Sequence, residues 1–158
     1  MLDQQLQAAT AFLMDIPHRY QLERRLYALR REGGLRADQL SEEVTAIQRR
    51  CYGDALASWD PLFWCSKLHF YIAGMSFYNW PYAFGYLFSS AVYAEARRTG
   101  PAFLPKLQDL LRRTGWQDTA ALGRDVLGAD LRSPAFWEGA VQSIPGWVDA
   151  FEQATTPS

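Results

Sequence analysis

A long stretch without charge is the feature that most constrains the fold of this chain. No Asp, Glu, Lys or Arg occurs between Lys67 and Glu95. An uncharged run of that length can mark a transmembrane helix. The run also contains Gly74 and the sequence Asn79-Trp80-Pro81, and a spanning helix broken there would leave backbone groups unpaired in lipid. We therefore predict a buried, irregular wall inside a soluble protein and disfavour a membrane span or a membrane-associated protein.

The remainder of the chain is patterned for helices. Apolar residues recur at helical spacing, and no segment shows the sustained alternation of a strand. Predicted helices cover 2–13, 17–32, a segment from 37, 82–98, 102–113, 119–126 and a segment from 133, with a loop over 73–81 and either helix or short extended pieces over 62–72. Pro17 and Pro134 suit first helical positions, and Pro145 should kink or split the last helix. The predicted fold class is all-α, a multi-helix bundle.

Length and hydrophobic periodicity also predict the extent of the domain and its core. A chain of 158 residues fits one helical domain, which we place at 1–153, followed by a frayed tail over 154–158. The residues expected to face inward are Tyr20, Leu26 and Tyr27 on the second helix and Leu40, Val44, Ile47 and Cys51 on the third.

Charge and cysteine usage exclude several classes of function. The net charge is −1 and basic residues alternate with acidic ones, which argues against nucleic-acid partners and against anionic lipid surfaces. The N-terminus lacks the basic and apolar regions of a signal peptide, so we expect a cytoplasmic protein. The spacing of Cys51 and Cys65 matches neither a redox motif nor a zinc knuckle. Buried free thiols are the favoured interpretation, with a disulfide left open.

The familiar catalytic motifs are not found in the sequence. The two histidines, His18 and His69, are far apart, and there is no HExxH, GxSxG, P-loop or GxGxxG. A metal site made of both histidines and a carboxylate would require the fold to bring them together. We therefore expect no metal ligands in this chain.

The block FWCSKLHFYIAGMSFYNWPYAFGYLF at 63–88 is the most informative part of the sequence. Its polar side chains are His69, Tyr71, Tyr78, Tyr82 and Tyr86. Phenols are neutral near pH 7 and are good hydrogen-bond donors, so they could bind peptide carbonyls or an oxyanion. The structural alternative is that these rings lie at the edge of a core with their polar tips in water.

The stretch KLHFYIAGMSFYNWPYAFGYLFS resembles the signature that follows the zinc site in the M3 family of zinc oligopeptidases, of the oligoendopeptidase F type. The segments AFLMDIPHRYQLERRLYALRREG, YGDAL, LLRRTG and LGADL and the pair Phe136-Trp137 are similar to flanking segments in the same order. The likeness covers about 2 to 151, and Trp80 stands where the family usually has Phe.

The resemblance implies a mostly helical hydrolase that cleaves short peptides. It implies that His69 and Tyr86 are catalytic, and that Tyr78, Tyr82, Gly74 and Gly85 bind substrate. In that family zinc is held by the two histidines of HExxH and a later glutamate, all upstream of the segments found here. We therefore expect this chain to be inactive alone and to need the upstream, HExxH-bearing part of the peptidase.

Two readings of the chain stay open at this point. It can be a cloned or truncated part of a peptidase, or a stand-alone remnant that serves as a non-catalytic helical module binding peptides or proteins. In either case a surface that packs on the rest of the enzyme would be exposed, and such an apolar face favours self-association.

Overall fold

The computed structural model describes residues 1–156, and all regular secondary structure in that range is helical. The α-helices are α1 (Leu2–Thr10), α2 (Ile16–Glu32), α3 (Ala37–Tyr52), α4 (Phe63–Ser66), α5 (Trp80–Thr99), α6 (Leu104–Arg113), α7 (Thr119–Leu122), α8 (Pro134–Val141) and α9 (Ile144–Thr155). Short 3₁₀ turns cover Leu68–Phe70 and Gly100–Phe103, and π-helical turns cover Ala11–Asp15 and Gly123–Leu127. The predicted all-α class is confirmed.

The described residues form two compact units. The first holds Met1 and Asp3–Ala83, and the second holds Leu2 and the described residues from Phe84 onward. The single domain expected over 1–153 stays a prediction.

The junction between α1 and α2 is continuous, where the sequence predicted an interruption. Residues Ala11–Asp15 form a π-helical turn, and the Ile16 N–H bonds to the Ala11 carbonyl. Pro17 has no N–H to donate to the preceding turn. One wide turn absorbs that missing bond without breaking the helix, as π-bulges commonly do. Pro17 does lie at the start of α2, as predicted.

The core of the first unit lies between α2 and α3. Leu22, Val44 and Ile47 are fully buried, and Val44 and Ile47 were predicted to face inward. The expected burial of Tyr20 and Tyr27 was wrong, since they are 39% and 45% exposed. Both rings pack against Phe77 in the loop before α5. The buried residues of α2 are instead Ile16, His18, Leu22 and Glu23.

A buried amide fixes the connection that leaves α3. Gln48 donates from Nε2 to the Asp60 carbonyl at 3.1 Å and accepts from the Asp60 N–H at 3.0 Å. Both backbone groups of Asp60 are therefore satisfied by one side chain, as a buried polar group requires. This pair ties the segment before α4 to α3.

The uncharged stretch is mostly exposed in this chain, so the prediction that it is buried was wrong. Leu68, Ile72 and Met75 are 69%, 37% and 44% exposed. Cys65 is also exposed, contrary to expectation, and both cysteines are free thiols. No helix within the described residues is long and apolar enough to cross a membrane. Helix α5 begins at Trp80, two residues before the predicted start, because a proline at a first-turn position is compatible with a helix.

The second unit has its own core. Leu110 of α6 packs with Leu122 and Val126, and Phe88 and Val92 of α5 cover them. The Asp118 side chain caps α7 by accepting the Ala121 N–H at 3.0 Å. These helices depend on one another because neither α7 nor the π turn after it is long enough to be stable alone.

The C-terminal helices begin where the prolines predicted. Helix α8 begins at Pro134, and α9 begins at Ile144 with Pro145 in its first turn, so the predicted split is confirmed. Trp137 donates its indole N–H to the Leu131 carbonyl at 2.9 Å. Helix α9 includes Ala154 and Thr155, which the sequence assigned to the tail, and Pro157 and Ser158 lie outside the described residues.

Two adjacent leucines on α6 test the second core. Leu110 is 7% exposed and Leu111 is 63% exposed. Leu110→Ala should lower the free energy of unfolding by about 2–5 kcal/mol, because it leaves a cavity against Leu122 and Val126. Leu111→Ala should change it by no more than about 0.5 kcal/mol. Denaturant unfolding measures both, and equal losses would contradict the assigned core.

Candidate functional site

A buried carboxylate fixes the loop that leads into α5. Glu23 of α2 is 6% exposed, and its Oε1 accepts the Phe77 backbone N–H at 2.6 Å. The Phe77 ring packs against Tyr20 and Tyr27, with centroids 5.2 and 5.7 Å apart. The Tyr27 and Ser76 hydroxyls are 2.8 Å apart and share a hydrogen bond. Helix α2 therefore holds two successive residues of this loop.

The loop needs this support because its backbone is strained at Phe77. Phe77 has a φ of 54°, the only positive φ of a non-glycine residue within the described range. A left-handed conformation costs a residue with a Cβ roughly 1–2 kcal/mol. The bond from Glu23 and the two ring contacts offset that cost.

His69, Tyr78 and Tyr82 come together on the surface of the first unit. The His69 and Tyr78 rings are stacked, with centroids 5.2 Å apart and planes at 28°. Tyr82 donates its hydroxyl hydrogen to the Tyr78 hydroxyl at 3.2 Å. Tyr78 and Tyr82 are 40% and 47% exposed, so both phenols reach solvent. We call these three residues the His–Tyr cluster.

The His–Tyr cluster keeps its hydrogen-bond donors near neutral pH. The hydrogen bond to Tyr78 raises the pKa of Tyr82 above its ordinary value of 10.0. His69 Nδ1 is buried with no hydrogen-bond partner in the described structure. The cluster thus presents two exposed phenols beside an imidazole, and these groups are suited to binding polar groups of a ligand.

The other residues predicted for the site are more dispersed. Tyr86 belongs to the second unit, is half-buried, and burial raises the pKa of its phenol. Gly74 has a φ of 82°, which explains glycine there, and open space surrounds the place where a Cβ would be. Gly85 lies within α5 with similar open space. The two glycines leave room beside the backbone, and their predicted role in binding substrate stays a prediction.

Tyr71 serves a structural purpose in this chain. Its hydroxyl donates to the Trp64 carbonyl at 2.9 Å, which links the 3₁₀ turn to α4. Burial raises the pKa of this phenol. The Tyr71 hydroxyl is therefore occupied within the fold, whereas the exposed Tyr78 and Tyr82 are compatible with both alternatives.

His18 occupies a separate, buried position. It is 1% exposed, and its ring contacts Phe63 and Tyr52 with centroids 4.6 and 6.0 Å away. Its Nδ1 lies 3.9 Å from Asp15 Oδ1, too far for a hydrogen bond. Burial and the charge of Asp15 raise the pKa of Tyr52 to about 12. No three His, Cys, Asp or Glu side chains gather into a metal-binding group anywhere in residues 1–156.

Sequence reasoning missed Glu23, which positions the loop. Glu23 stands in a charged helical segment, QLERRLYALRRE, where it reads as one more solvated residue. The signal that could have found it is its spacing from Ile16 and Tyr27, since helical period places these residues near one face of α2. Buried polar residues on an apolar face need a partner, and Glu23 finds one in a distant loop.

Comparison with known proteins found no match: no protein-family model, no curated protein and no solved structure matches this chain. The likeness to zinc oligopeptidases therefore stays an expectation from sequence.

The interactions of the Asp15 carboxylate predict that the folded chain loses stability in acid. Burial opposes its ionisation, but the His18 and Arg19 side chains, with Arg19 Nη2 at 2.6 Å, lower its pKa from 3.8 to about 2. Because the folded-state pKa is depressed, this contribution is complete above about pH 4 and is lost as the pH falls towards 2. Asp15→Asn should remove roughly 1–2 kcal/mol at pH 7 and flatten the stability profile between pH 4 and 2.

Thermal unfolding across that pH range measures the effect. The exposed Asp54 has no ion pair within the described structure and gives a matched control. Asp54→Asn should leave the profile as it is in the parent chain. If Asp15→Asn keeps the parent's full pH dependence, the assignment is wrong.

The hydrogen bond between Glu23 and Phe77 predicts that the loop over 75–79 is held in one conformation. Glu23→Ala leaves the Phe77 N–H without its acceptor and should cost about 1–3 kcal/mol, with faster amide exchange over 75–79. Glu23→Gln retains a side-chain oxygen for the same N–H and should keep the exchange rates close to those of the parent. Hydrogen exchange read by mass spectrometry measures both. Unchanged exchange in Glu23→Ala would show that the ring contacts alone hold the loop.

Proposed function

We propose that this chain is the substrate-binding portion of a zinc oligopeptidase that hydrolyses short peptides, and that it is inactive by itself. In this role the His–Tyr cluster contacts the peptide backbone, and the resemblance implies that His69 and Tyr86 are each catalytic, as donors to an oxyanion. The observation that carries the proposal is the stacking of His69 on Tyr78, with Tyr82 bonded to Tyr78. The aromatic signature of the sequence adds to it.

The chemistry of these groups suits that role. Preorganised, neutral donors stabilise a developing oxyanion without having to reorganise as the reaction proceeds. The raised pKa of Tyr82 and of Tyr86 keeps both phenols protonated at physiological pH. The strained backbone at Phe77 fixes Tyr78 on a defined support, and strain of this kind is found preferentially at functional sites.

The residues of this chain do not fit a zinc site. The sequence has no HExxH, and the described residues offer no group of three metal-binding side chains. We therefore derive no step through zinc from this chain. In the proposal, the metal and the base that activates water belong to an upstream part of the peptidase, and this chain supplies contacts to the substrate.

A second candidate function is a non-catalytic module that binds peptides or proteins. The exposed apolar side chains between α4 and α5, among them Leu68, Ile72 and Met75, favour it. Exposed apolar groups close together in sequence are typical of interaction surfaces. The same surface would support self-association of the isolated chain.

The mass of the native product and its activity separate the two candidates. The chain itself has a mass of 18.0 kDa. The peptidase proposal expects a native product several times larger. That product should cleave a quenched fluorescent peptide of roughly five to ten residues, whereas the isolated chain should cleave nothing. A native product near 18 kDa without peptidase activity would overturn the proposal in favour of the binding module.

Phenol substitutions in the larger product test the site itself. Tyr86→Phe should lower kcat by about 10²-fold, the usual loss for one oxyanion donor, and Tyr78→Phe should raise KM. Tyr93 is 64% exposed on the same helix as Tyr86 and provides the control. Tyr93→Phe should leave both constants unchanged. Full activity in Tyr86→Phe would remove that residue from the site.

A further inference from the structure

A cavity of about 540 Å³ lies in the first unit, between α2, the start of α3 and the segment from α4 to the 3₁₀ turn. Its volume is within the range of small-molecule sites, roughly 300–1,000 Å³. Its aromatic walls are Tyr27, Trp64, Phe70 and Tyr71. Aromatic walls of this kind contribute large contact areas at low entropic cost.

The cavity contains a buried carboxylate with one oxygen unused. Glu23 lines it and is 6% exposed. Its Oε1 is occupied by the Phe77 N–H, and the carboxylate has no other hydrogen bond or ion pair within residues 1–156. A buried carboxylate is costly unless it is paired, so the second oxygen is an open acceptor for a cation.

Arg30 lines the same cavity, and its backbone lies about 10 Å from that of Glu23. Arg30 is seven residues after Glu23 on α2, and a helical rise of 1.5 Å per residue gives about 10 Å along one face. Arg36 also lines the cavity, but it is bound to Asp38 by two hydrogen bonds of 3.0 and 2.8 Å. Arg30 has no such partner in the described part of the chain and is available to an anion.

We propose that this cavity binds a zwitterionic tripeptide with an aromatic side chain. The ligand's ammonium group pairs with the free oxygen of Glu23, its terminal carboxylate pairs with Arg30, and its side chain packs on the aromatic walls. Three extended residues span about 10 Å, which is comparable to the spacing of Glu23 and Arg30 along the backbone of α2. This site is distinct from the His–Tyr cluster, and peptide binding here does not depend on any part in catalysis.

Calorimetric titration of the whole chain with Ala-Phe-Ala tests the site. The free tripeptide should bind saturably at one site per chain. N-acetyl-Ala-Phe-Ala and Ala-Phe-Ala-amide should each bind about tenfold more weakly, because each lacks one charge-assisted hydrogen bond. Absence of saturable binding, or equal affinities for the three peptides, would overturn the proposal.

Two substitutions assign each charge to its partner. In Glu23→Gln the amide oxygen still accepts the Phe77 N–H, and the variant should bind free and acetylated peptide equally. In Arg30→Gln, free and amidated peptide should bind equally. Arg31→Gln makes the same charge change outside the cavity and should retain the parent's preferences.

The test remains decisive if Glu23→Gln does not fold. Arg30 is exposed on α2, so Arg30→Gln should preserve the helical circular dichroism spectrum. If Arg30→Gln still discriminates against the amidated peptide as strongly as the parent does, the proposal is wrong. Failure here would leave the proposed peptidase role intact, because that role rests on the His–Tyr cluster and on activity of the larger product.

Discussion

The hydrogen bond from the Phe77 N–H to the Glu23 carboxylate is the interaction on which the loop leading to the His–Tyr cluster depends. It joins residues separated by 54 positions in sequence and holds a backbone conformation that a phenylalanine otherwise avoids. Without it, the residue before Tyr78 would relax towards negative φ. Tyr78, which stacks on His69, directly follows the residue that this carboxylate holds.

Helix α2 can make these contacts because its side chains face three different parts of the first unit. Leu22 enters the core with Val44 and Ile47, Glu23 turns towards the loop, and Tyr27 contacts the loop from the side. One helical turn separates Glu23 from Tyr27, so a single rigid element sets both contacts. The π turn before α2 keeps α1 and α2 continuous across Pro17.

Helical class and most helix limits could be predicted from sequence because Gly and Pro act locally. Pro134 and Pro145 start helices wherever the surrounding chain permits, so their effects are visible without the fold. The predictions that failed concern residues whose burial depends on tertiary contacts. Tyr20 and Tyr27 are apolar by pattern but serve an exposed loop, and Glu23 is charged by pattern but buried. Sequence placed His69, Tyr78 and Tyr82 in one block, but their contacts depend on the left-handed Phe77, which no local preference encodes.

The two oxygens of Glu23 link the loop to the cavity. Oε1 faces the Phe77 N–H, and the other oxygen has no protein partner although the residue is almost fully buried. A stability argument alone would favour a neutral side chain here, since glutamine could accept the same N–H without the cost of a buried charge. A cation that reaches the second oxygen would offset that cost. A ligand ammonium at that point would share the carboxylate with the strained loop, so binding in the cavity and the position of Tyr78 would depend on the same group.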